Sequence, residues 1–232
     1  MMKGAGREVR AFRVSLPGIG LPTAMTDLTF FHRYIPATID GLPPLLLLHG
    51  TGGDENDLLP LGQALLPGAA LLSPRGKVME HGMPRFFRRL AEGVFDLDDL
   101  KLRTTELAGF IAEARKAYGL PAPIAVGFSN GANIAASLLL SQPEALAGAV
   151  LLRAMLPFEP KPAPQLTGKP VLLLSGSSDQ MIPAASTARL VDVLQTAGAK
   201  LDYRTLPTGH GLTQNDLIIA THWLSNTLED LP

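Results

Sequence analysis

Short runs of consecutive apolar residues recur along this chain of 232 residues, and longer mixed stretches separate them. Continuous apolar runs are typical of strands that helices cover on both faces of a parallel sheet. The predicted strands are Leu45–Leu48, Ala69–Leu72, Ile124–Phe128, Ala149–Leu152, Val171–Leu174 and the more mixed Leu201–Leu206.

Helical periodicity occupies the intervals between these strands. Apolar residues recur on one face within residues 98–118, within residues 184–198 and in the last segment of the chain. A further helix is expected over residues 55–66, with Asp54 as its cap, and another after residue 131. Strands that alternate with helices predict an α/β fold: a doubly wound, mostly parallel sheet flanked by helices. In such sheets ligands bind beyond the carboxyl ends of the strands.

Two regions depart from this pattern. Residues 1–24 lack a clear period and are predicted to be an N-terminal extension or an edge strand, with residues 25–232 forming a single domain. Phe12–Ser15 and Leu28–Tyr34 are expected as antiparallel strands at the sheet edge. Residues 74–97 have no clean period, and an irregular stretch of that length is often functional.

Composition narrows the classes of function. A hydrophobic fraction of 46% suits one domain with a large core. The net charge of −1 gives no sign of the excess positive charge that nucleic-acid-binding proteins carry. The absence of cysteine excludes disulfides and thiolate sites. No apolar run approaches the ~20 residues of a membrane helix, and no signal-like segment follows the N-terminus, so a cytoplasmic location is expected. No cluster has metal-ligand spacing, and no cofactor or metal is predicted.

A G-x-S-x-G motif at Gly127–Gly131 lies between a predicted strand and a small-residue helix. This context favours a nucleophile elbow that presents the Ser129 hydroxyl above the sheet. The backbone N–H of Asn130 would then point toward a developing oxyanion. The alternative is a Gly-Ser turn that opens an ordinary helix.

An acid and a base follow later strands in the order that this chemistry requires. Asp179 lies in a Gly/Ser loop after Val171–Leu174, and His210 lies between two glycines before the last helix. The order Ser129, Asp179, His210 is that of the α/β-hydrolases. Taken singly, Asp179 could be an N-cap and His210 an ordinary surface or core histidine.

A second oxyanion donor is expected in the glycine-rich segment after the strand Leu45–Leu48. Glycines there let the backbone approach a substrate, and the N–H of Thr51 would face the same pocket as that of Asn130. A phosphate-binding loop is the alternative, but the segment lacks the spacing of both common nucleotide motifs.

Several ordered motifs resemble the phospholipase/carboxylesterase family of α/β-hydrolases, in its branch of bacterial stress-induced hydrolases and carboxylesterases. They are HGTGGDE at 49–55, SPRG at 73–76, RFFRR at 85–89, GVFD at 93–96 and GFSNGAN at 127–133. The resemblance implies a catalytic triad of Ser129, Asp179 and His210, and oxyanion donors at Thr51 and Asn130. Two departures concern the acyl side of the pocket: Gln180 and Arg153-Ala154 stand where the family often has proline and a His-Pro pair.

The arginine-rich segment gives a hypothesis about specificity. Arg88, Arg89 and Phe86, with their neighbours Arg85 and Phe87, are predicted to line the pocket and favour an aromatic or anionic substrate. Met155 and Phe158 would add apolar walls. The alternative is that the arginines pair with Glu80, Glu92 and Asp96 on a solvated surface.

These residues together predict a serine hydrolase that cleaves carboxylic esters, or thioesters, of small acyl or aromatic substrates through an acyl-enzyme. Its partners would be a small-molecule ester and water, with no nucleic acid and no membrane, and a homodimer is left open. A non-catalytic ligand-binding module on the same fold is the alternative. Such a module would normally lose a member of the triad.

Overall fold

A seven-stranded sheet forms the centre of the fold in this computed structural model, which describes residues 28–229. In chain order the strands are β1 (His32–Ile35), β2 (Leu45–Leu48), β3 (Leu71–Pro74), β4 (Val78–Glu80), β5 (Met83–Arg85), β6 (Arg89–Ala91), β7 (Val94–Phe95), β8 (Ile124–Phe128), β9 (Gly148–Leu152), β10 (Pro170–Gly176) and β11 (Lys200–Leu206). The helices are α1 (Leu59–Leu65), α2 (Leu97–Tyr118), α3 (Asn130–Ser141), α4 (Ala184–Thr196) and α5 (Gln214–Glu229).

The sheet order is β1-β3-β2-β8-β9-β10-β11, and every neighbouring pair except β1 with β3 is parallel. The predicted mostly parallel, doubly wound sheet is therefore confirmed. The antiparallel edge strand expected at Leu28–Tyr34 is present as β1. Phe12–Ser15 and the N-terminal extension 1–24 lie outside the described residues.

The two faces of the sheet explain why the central strands are apolar throughout. Along β2, Leu46 and Leu48 pack into one core layer, while Leu45 and Leu47 pack into the other. Helices α2, α3 and α4 cover the first face, and α1 and α5 cover the second. Because successive side chains of a strand point to opposite faces, a strand between two helical layers needs apolar residues at every position.

Helix α2 has a signal at each end. The Asp96 carboxylate accepts a hydrogen bond from the N–H of Asp99, and Gly119 ends the helix with a φ of 67°. The prediction for α1 was wrong at its start, because the helix begins at Leu59 rather than near residue 55. Asp54 does not cap it: its carboxylate accepts from the N–H of Asn56 in a preceding turn.

The segment 74–97, expected to be irregular, contains two short hairpins, β4–β5 and β6–β7. Their strands are two or three residues long, too short for a period of two to be visible in the sequence. The first hairpin contacts the loop after β2, where the N–H of Gly52 donates to the carbonyl of Pro84. Within residues 28–229, no helix is long and apolar enough to cross a membrane.

Candidate active site

Ser129 occupies a strained turn between β8 and α3. Its backbone has φ 52° and ψ −112°, a conformation that L-residues with a side chain rarely adopt. Flanking glycines make the turn possible. A Cβ at Gly127 would lie 2.6 Å from the carbonyl oxygen of Gly131, and a Cβ at Gly131 would overlap the carbonyl of Leu48. The G-x-S-x-G segment therefore has the local geometry of a nucleophile elbow.

A continuous hydrogen-bond chain joins the three residues predicted to form a triad. His210 Nε2 lies 2.9 Å from Ser129 Oγ, and His210 Nδ1 lies 2.9 Å from Asp179 Oδ2. The other carboxylate oxygen of Asp179 accepts from the N–H groups of Met181 and Ile182, at 2.8 and 3.1 Å. The Asp179 side chain is only 2% exposed, so its carboxylate is held by these three contacts. The structure thus brings together one residue from each of three strand ends.

The loops that carry the acid and the histidine lie in direct contact. The N–H of Ser178 donates to the carbonyl of Thr208 at 3.0 Å, and the N–H of Ser177 donates to that of Leu206 at 2.8 Å. A Cβ at Gly176 would clash with the carbonyl of Gly209, so a glycine is needed at this approach. This backbone contact fixes the distance between Asp179 and His210.

A buried arginine that sequence reasoning did not assign to the site holds the histidine loop in place. Arg153 follows β9, has a φ of 60° and is fully buried. Its five N–H groups donate to the carbonyls of Leu174, Gly209 and Gly211 and to both carboxylate oxygens of Asp216. Two of these carbonyls flank His210 in the sequence. The departure at Arg153-Ala154 from the family pattern was the one signal that pointed to this position.

Asp216 completes the support of the histidine loop. Burial alone would raise the pKa of its carboxyl group, but hydrogen bonds from Arg153 and from Thr213 outweigh burial, and the pKa lies below its usual value. Both the N–H and the hydroxyl of Thr213 donate to this carboxylate at 2.8 Å, immediately before α5. The buried charges of Arg153 and Asp216 therefore compensate each other.

Two backbone N–H groups beside Ser129 are available to a ligand. Neither the N–H of Thr51 nor that of Asn130 donates a hydrogen bond to any other residue in the described part of the chain. Asn130 is the first residue of α3, where an N–H has no partner within the helix. Thr51, Ser129 and Asn130 line the same cavity. The residues expected to supply oxyanion donors thus surround the serine.

His49 supports the loop that carries Thr51. Its Nε2 accepts from the N–H of Gly76 at 3.0 Å, which leaves Nδ1 to donate to the carbonyl of Gly50 at 2.7 Å. Burial lowers the pKa of this histidine, although the hydrogen bond to Gly50 and nearby carboxylates oppose the shift. The geometry requires a neutral imidazole, since a protonated Nε2 could not accept.

The residues proposed for substrate contact divide into two groups. Met155, Arg89 and Arg85, three of the residues predicted to line the pocket, do line the cavity. Arg88 does not line it: the side chain is 60% exposed and pairs with Asp96 at 2.9 Å, as the surface alternative predicted.

Phe86 and Phe158 also lie away from the cavity lining. Phe86 is buried against the ring of His49, and its N–H donates to the Asn130 side chain at 2.7 Å. Phe158 packs against the core layer that α2, α3 and α4 cover. The cavity has a volume of about 40 Å³ and opens to solvent. No group of three His, Asp or Glu side chains in residues 28–229 could hold a metal ion.

Comparison with known proteins identifies the family. Residues 43–228 match the model of the phospholipase/carboxylesterase family. MhqD of Bacillus subtilis strain 168, which carries the name of a hydrolase, is 44% identical over 199 residues, or 85% of this chain and 98% of MhqD.

Solved structures agree with this match. The Bacillus cereus carboxylesterase is 43% identical and superposes with a TM-score of 0.84 over 86% of this chain and 95% of its own. The Mesorhizobium loti carboxylesterase is 34% identical and superposes with a TM-score of 0.81 over 87% of this chain and 97% of its own. This chain therefore belongs to the phospholipase/carboxylesterase family of α/β-hydrolases and is a carboxylesterase-type hydrolase.

Proposed function

We propose that this protein hydrolyses small carboxylic esters through an acyl-enzyme formed on Ser129. The observation that carries the proposal is the hydrogen-bond chain from Asp179 through His210 to Ser129, with both links at 2.9 Å. A serine hydroxyl is a weak nucleophile unless a base accepts its proton, and a histidine at this distance is such a base.

In the first half-reaction, Ser129 Oγ attacks the ester carbonyl carbon while His210 Nε2 accepts the hydroxyl proton. Asp179 keeps Nδ1 as the protonated nitrogen and stabilises the imidazolium that forms. The N–H groups of Thr51 and Asn130 donate to the oxyanion of the tetrahedral intermediate. His210 then gives its proton to the departing alkoxide, and the acyl group remains on Ser129.

In the second half-reaction, water takes the place of the alcohol. His210 accepts a proton from the water as it attacks the acyl carbonyl, and the same two N–H groups bind the second oxyanion. Collapse of this intermediate releases the carboxylic acid and returns the proton to Ser129. Thioesters can follow the same course with a thiolate as the leaving group.

The cavity beside Ser129 is small and open to solvent. Its volume is about 40 Å³, well below the range of ~300–1,000 Å³ for small-molecule sites, so only a small acyl group fits inside it in this conformation. Met155 contributes an apolar wall beside Ser129.

The proposal is tested by the hydrolysis of p-nitrophenyl esters of increasing acyl length. We expect Ser129→Ala to lose activity by a factor of at least ~10³ toward every ester, because the covalent intermediate cannot form. Ser141→Ala, which removes a serine from the same helix α3, is the matched control and should keep wild-type turnover. Wild-type protein that is folded and inactive toward all these esters would instead favour a binding module on this fold.

A further inference from the structure

Arg85, at the end of β5, is buried beside the cavity of Ser129. Arg85 is only 3% exposed, yet it lines this cavity. Its Nε donates to the carbonyl of Phe87, and its Nη1 donates to Thr51 Oγ1 at 2.8 Å and to the Glu80 carboxylate at 3.3 Å. Nη2 has no hydrogen-bond partner among residues 28–229. Nη2 is not among the buried atoms that lack a partner, so it reaches the open cavity, where a ligand can accept a hydrogen bond from it.

The charge of Arg85 is only partly compensated. Glu80, its one carboxylate partner in the described part of the chain, also accepts from Arg89 at 3.1 Å. Two guanidinium groups therefore share one carboxylate, which leaves one positive charge at the cavity wall. Burial lowers the pKa of Arg85, the effect expected for a cation removed from water. Glu92 also lines the cavity, but it is exposed, and water screens its charge.

Asn130, another residue of the cavity lining, also has an unpaired donor. Asn130 is 2% exposed, and its Oδ1 accepts from the N–H of Phe86. That contact fixes the orientation of the amide, so that Nδ2 becomes the free end. Nδ2 is buried and has no partner within the described residues. Because Nδ2 of Asn130 does not contact solvent, the side-chain donor that the open cavity offers to a ligand is Nη2 of Arg85, and a planar acceptor with one negative charge complements it.

We propose that Arg85 forms an anion subsite in the Ser129 cavity, and that it binds a carboxylate carried by the substrate. The preferred substrates are then esters with a second, free carboxyl group, such as half-esters of short dicarboxylic acids. A carboxylate matches the planar fork of a guanidinium, and a monoanion balances the single excess charge. This inference rests on the proposed ester hydrolysis at Ser129.

Two pairs of esters test the subsite with the free carboxylate on either side of the scissile bond. Monoethyl succinate is compared with ethyl levulinate, and acetoxyacetic acid with acetoxyacetone; in each pair a methyl ketone replaces the carboxylate. We expect wild-type kcat/KM to favour the anionic member of at least one pair by about 10- to 100-fold, the value of a charge-assisted hydrogen bond. Equal kcat/KM within both pairs would overturn the proposal.

Variants assign the preference to Arg85. Arg85→Gln should abolish the preference for the anion and reduce hydrolysis of the neutral ester far less. Arg88→Gln is the matched control, because Arg88 lies in the same segment but has an exposed side chain. This variant should keep the wild-type ratio. Persistence of the preference in Arg85→Gln, or its loss in Arg88→Gln, would contradict the assignment.

A binding measurement separates this inference from the proposed reaction. Succinate should raise the melting temperature of Ser129→Ala, which cannot turn over, and levulinamide should not. Stabilisation that Arg85→Gln abolishes would support the subsite even if no ester were hydrolysed. If esters are hydrolysed but succinate stabilises neither the wild type nor Ser129→Ala, the subsite is refuted and the proposed reaction stands.

Discussion

Two buried arginines support the region around Ser129, and their hydrogen-bonding groups are satisfied to different degrees. Within residues 28–229, Arg153 uses all five of its N–H groups, and Asp216 is the carboxylate that matches its charge. Over the same residues, Nη2 of Arg85 makes no hydrogen bond, and Arg85 shares Glu80 with Arg89. Burial of a charge is tolerated where hydrogen bonds and a counter-charge are complete. The comparison therefore separates a cation that holds a loop from one that is available to a ligand.

The largest loss of stability is expected when the buried ion pair between Arg153 and Asp216 is broken. Arg153→Met leaves the carboxylate of Asp216 buried without its partner and should lower the free energy of unfolding by about 3–5 kcal/mol. The kcat toward p-nitrophenyl acetate should fall as well, because the carbonyls on either side of His210 lose their donor. Urea unfolding and steady-state kinetics measure the two effects.

The double variant Arg153→Met/Asp216→Leu distinguishes support of the fold from positioning of His210. Removal of both charges should restore most of the stability, since no buried charge remains unpaired. The kcat should stay low, because the contacts to Gly209 and Gly211 are still missing. Recovery of kcat together with stability would contradict a positioning role for Arg153.

Arg85→Met should have a smaller effect on stability, about 1–2 kcal/mol. The substitution removes hydrogen bonds to Thr51 and to Phe87, but Glu80 keeps Arg89 as its partner. Thermal and urea unfolding of Arg85→Met and Arg153→Met in parallel would compare the loss of stability in the two variants. An equal loss in the two variants would show that the two arginines do not differ as proposed.

His49 makes the stability of the Thr51 loop depend on pH. Because burial lowers its folded pKa, the unfolded chain takes up a proton at higher pH than the folded protein. The free energy of unfolding should therefore fall as the pH drops below about 6.5, the ordinary value for histidine. In His49→Gln this part of the decline should be absent, which unfolding curves of both proteins between pH 7.5 and 5 would show. Parallel curves would refute it.

The smallest effect is expected for Arg88→Gln. Arg88 pairs with Asp96 on an exposed side chain, and exposed pairs contribute little. Its free energy of unfolding should stay within about 0.5 kcal/mol of the wild type. A loss comparable to that of Arg85→Met would mean that exposure does not account for the difference between the two positions.

Sequence patterns located Ser129, Asp179 and His210 because each signal is local. Each residue follows a predicted strand and has a glycine or a serine within two positions. Arg153 was not assigned to the site because its partners Gly209 and Asp216 lie 56 and 63 residues away. No local pattern contains that information, although the departure from the family pattern at Arg153-Ala154 marked the position.

The arginine-rich segment 85–89 also shows that local sequence does not reveal which side chains reach the site. Arg85 and Arg88 look alike in the sequence, and only the hairpins decide which one is buried at the cavity. The β4–β7 strands are too short to reveal that alternation. The main strands and the helices were predictable, because strands between two helical layers are short continuous apolar runs and the covering helices have an apolar face. The start of α1 was not, since the Asp54 turn resembles a cap.

The most direct test of the central proposal is the reaction of the folded protein with a fluorophosphonate probe, followed by peptide mapping. We predict one adduct, on the peptide that contains Ser129, and its loss in both Ser129→Ala and His210→Ala. An adduct on another serine, or no adduct on a folded wild type, would contradict a nucleophilic Ser129 activated by His210.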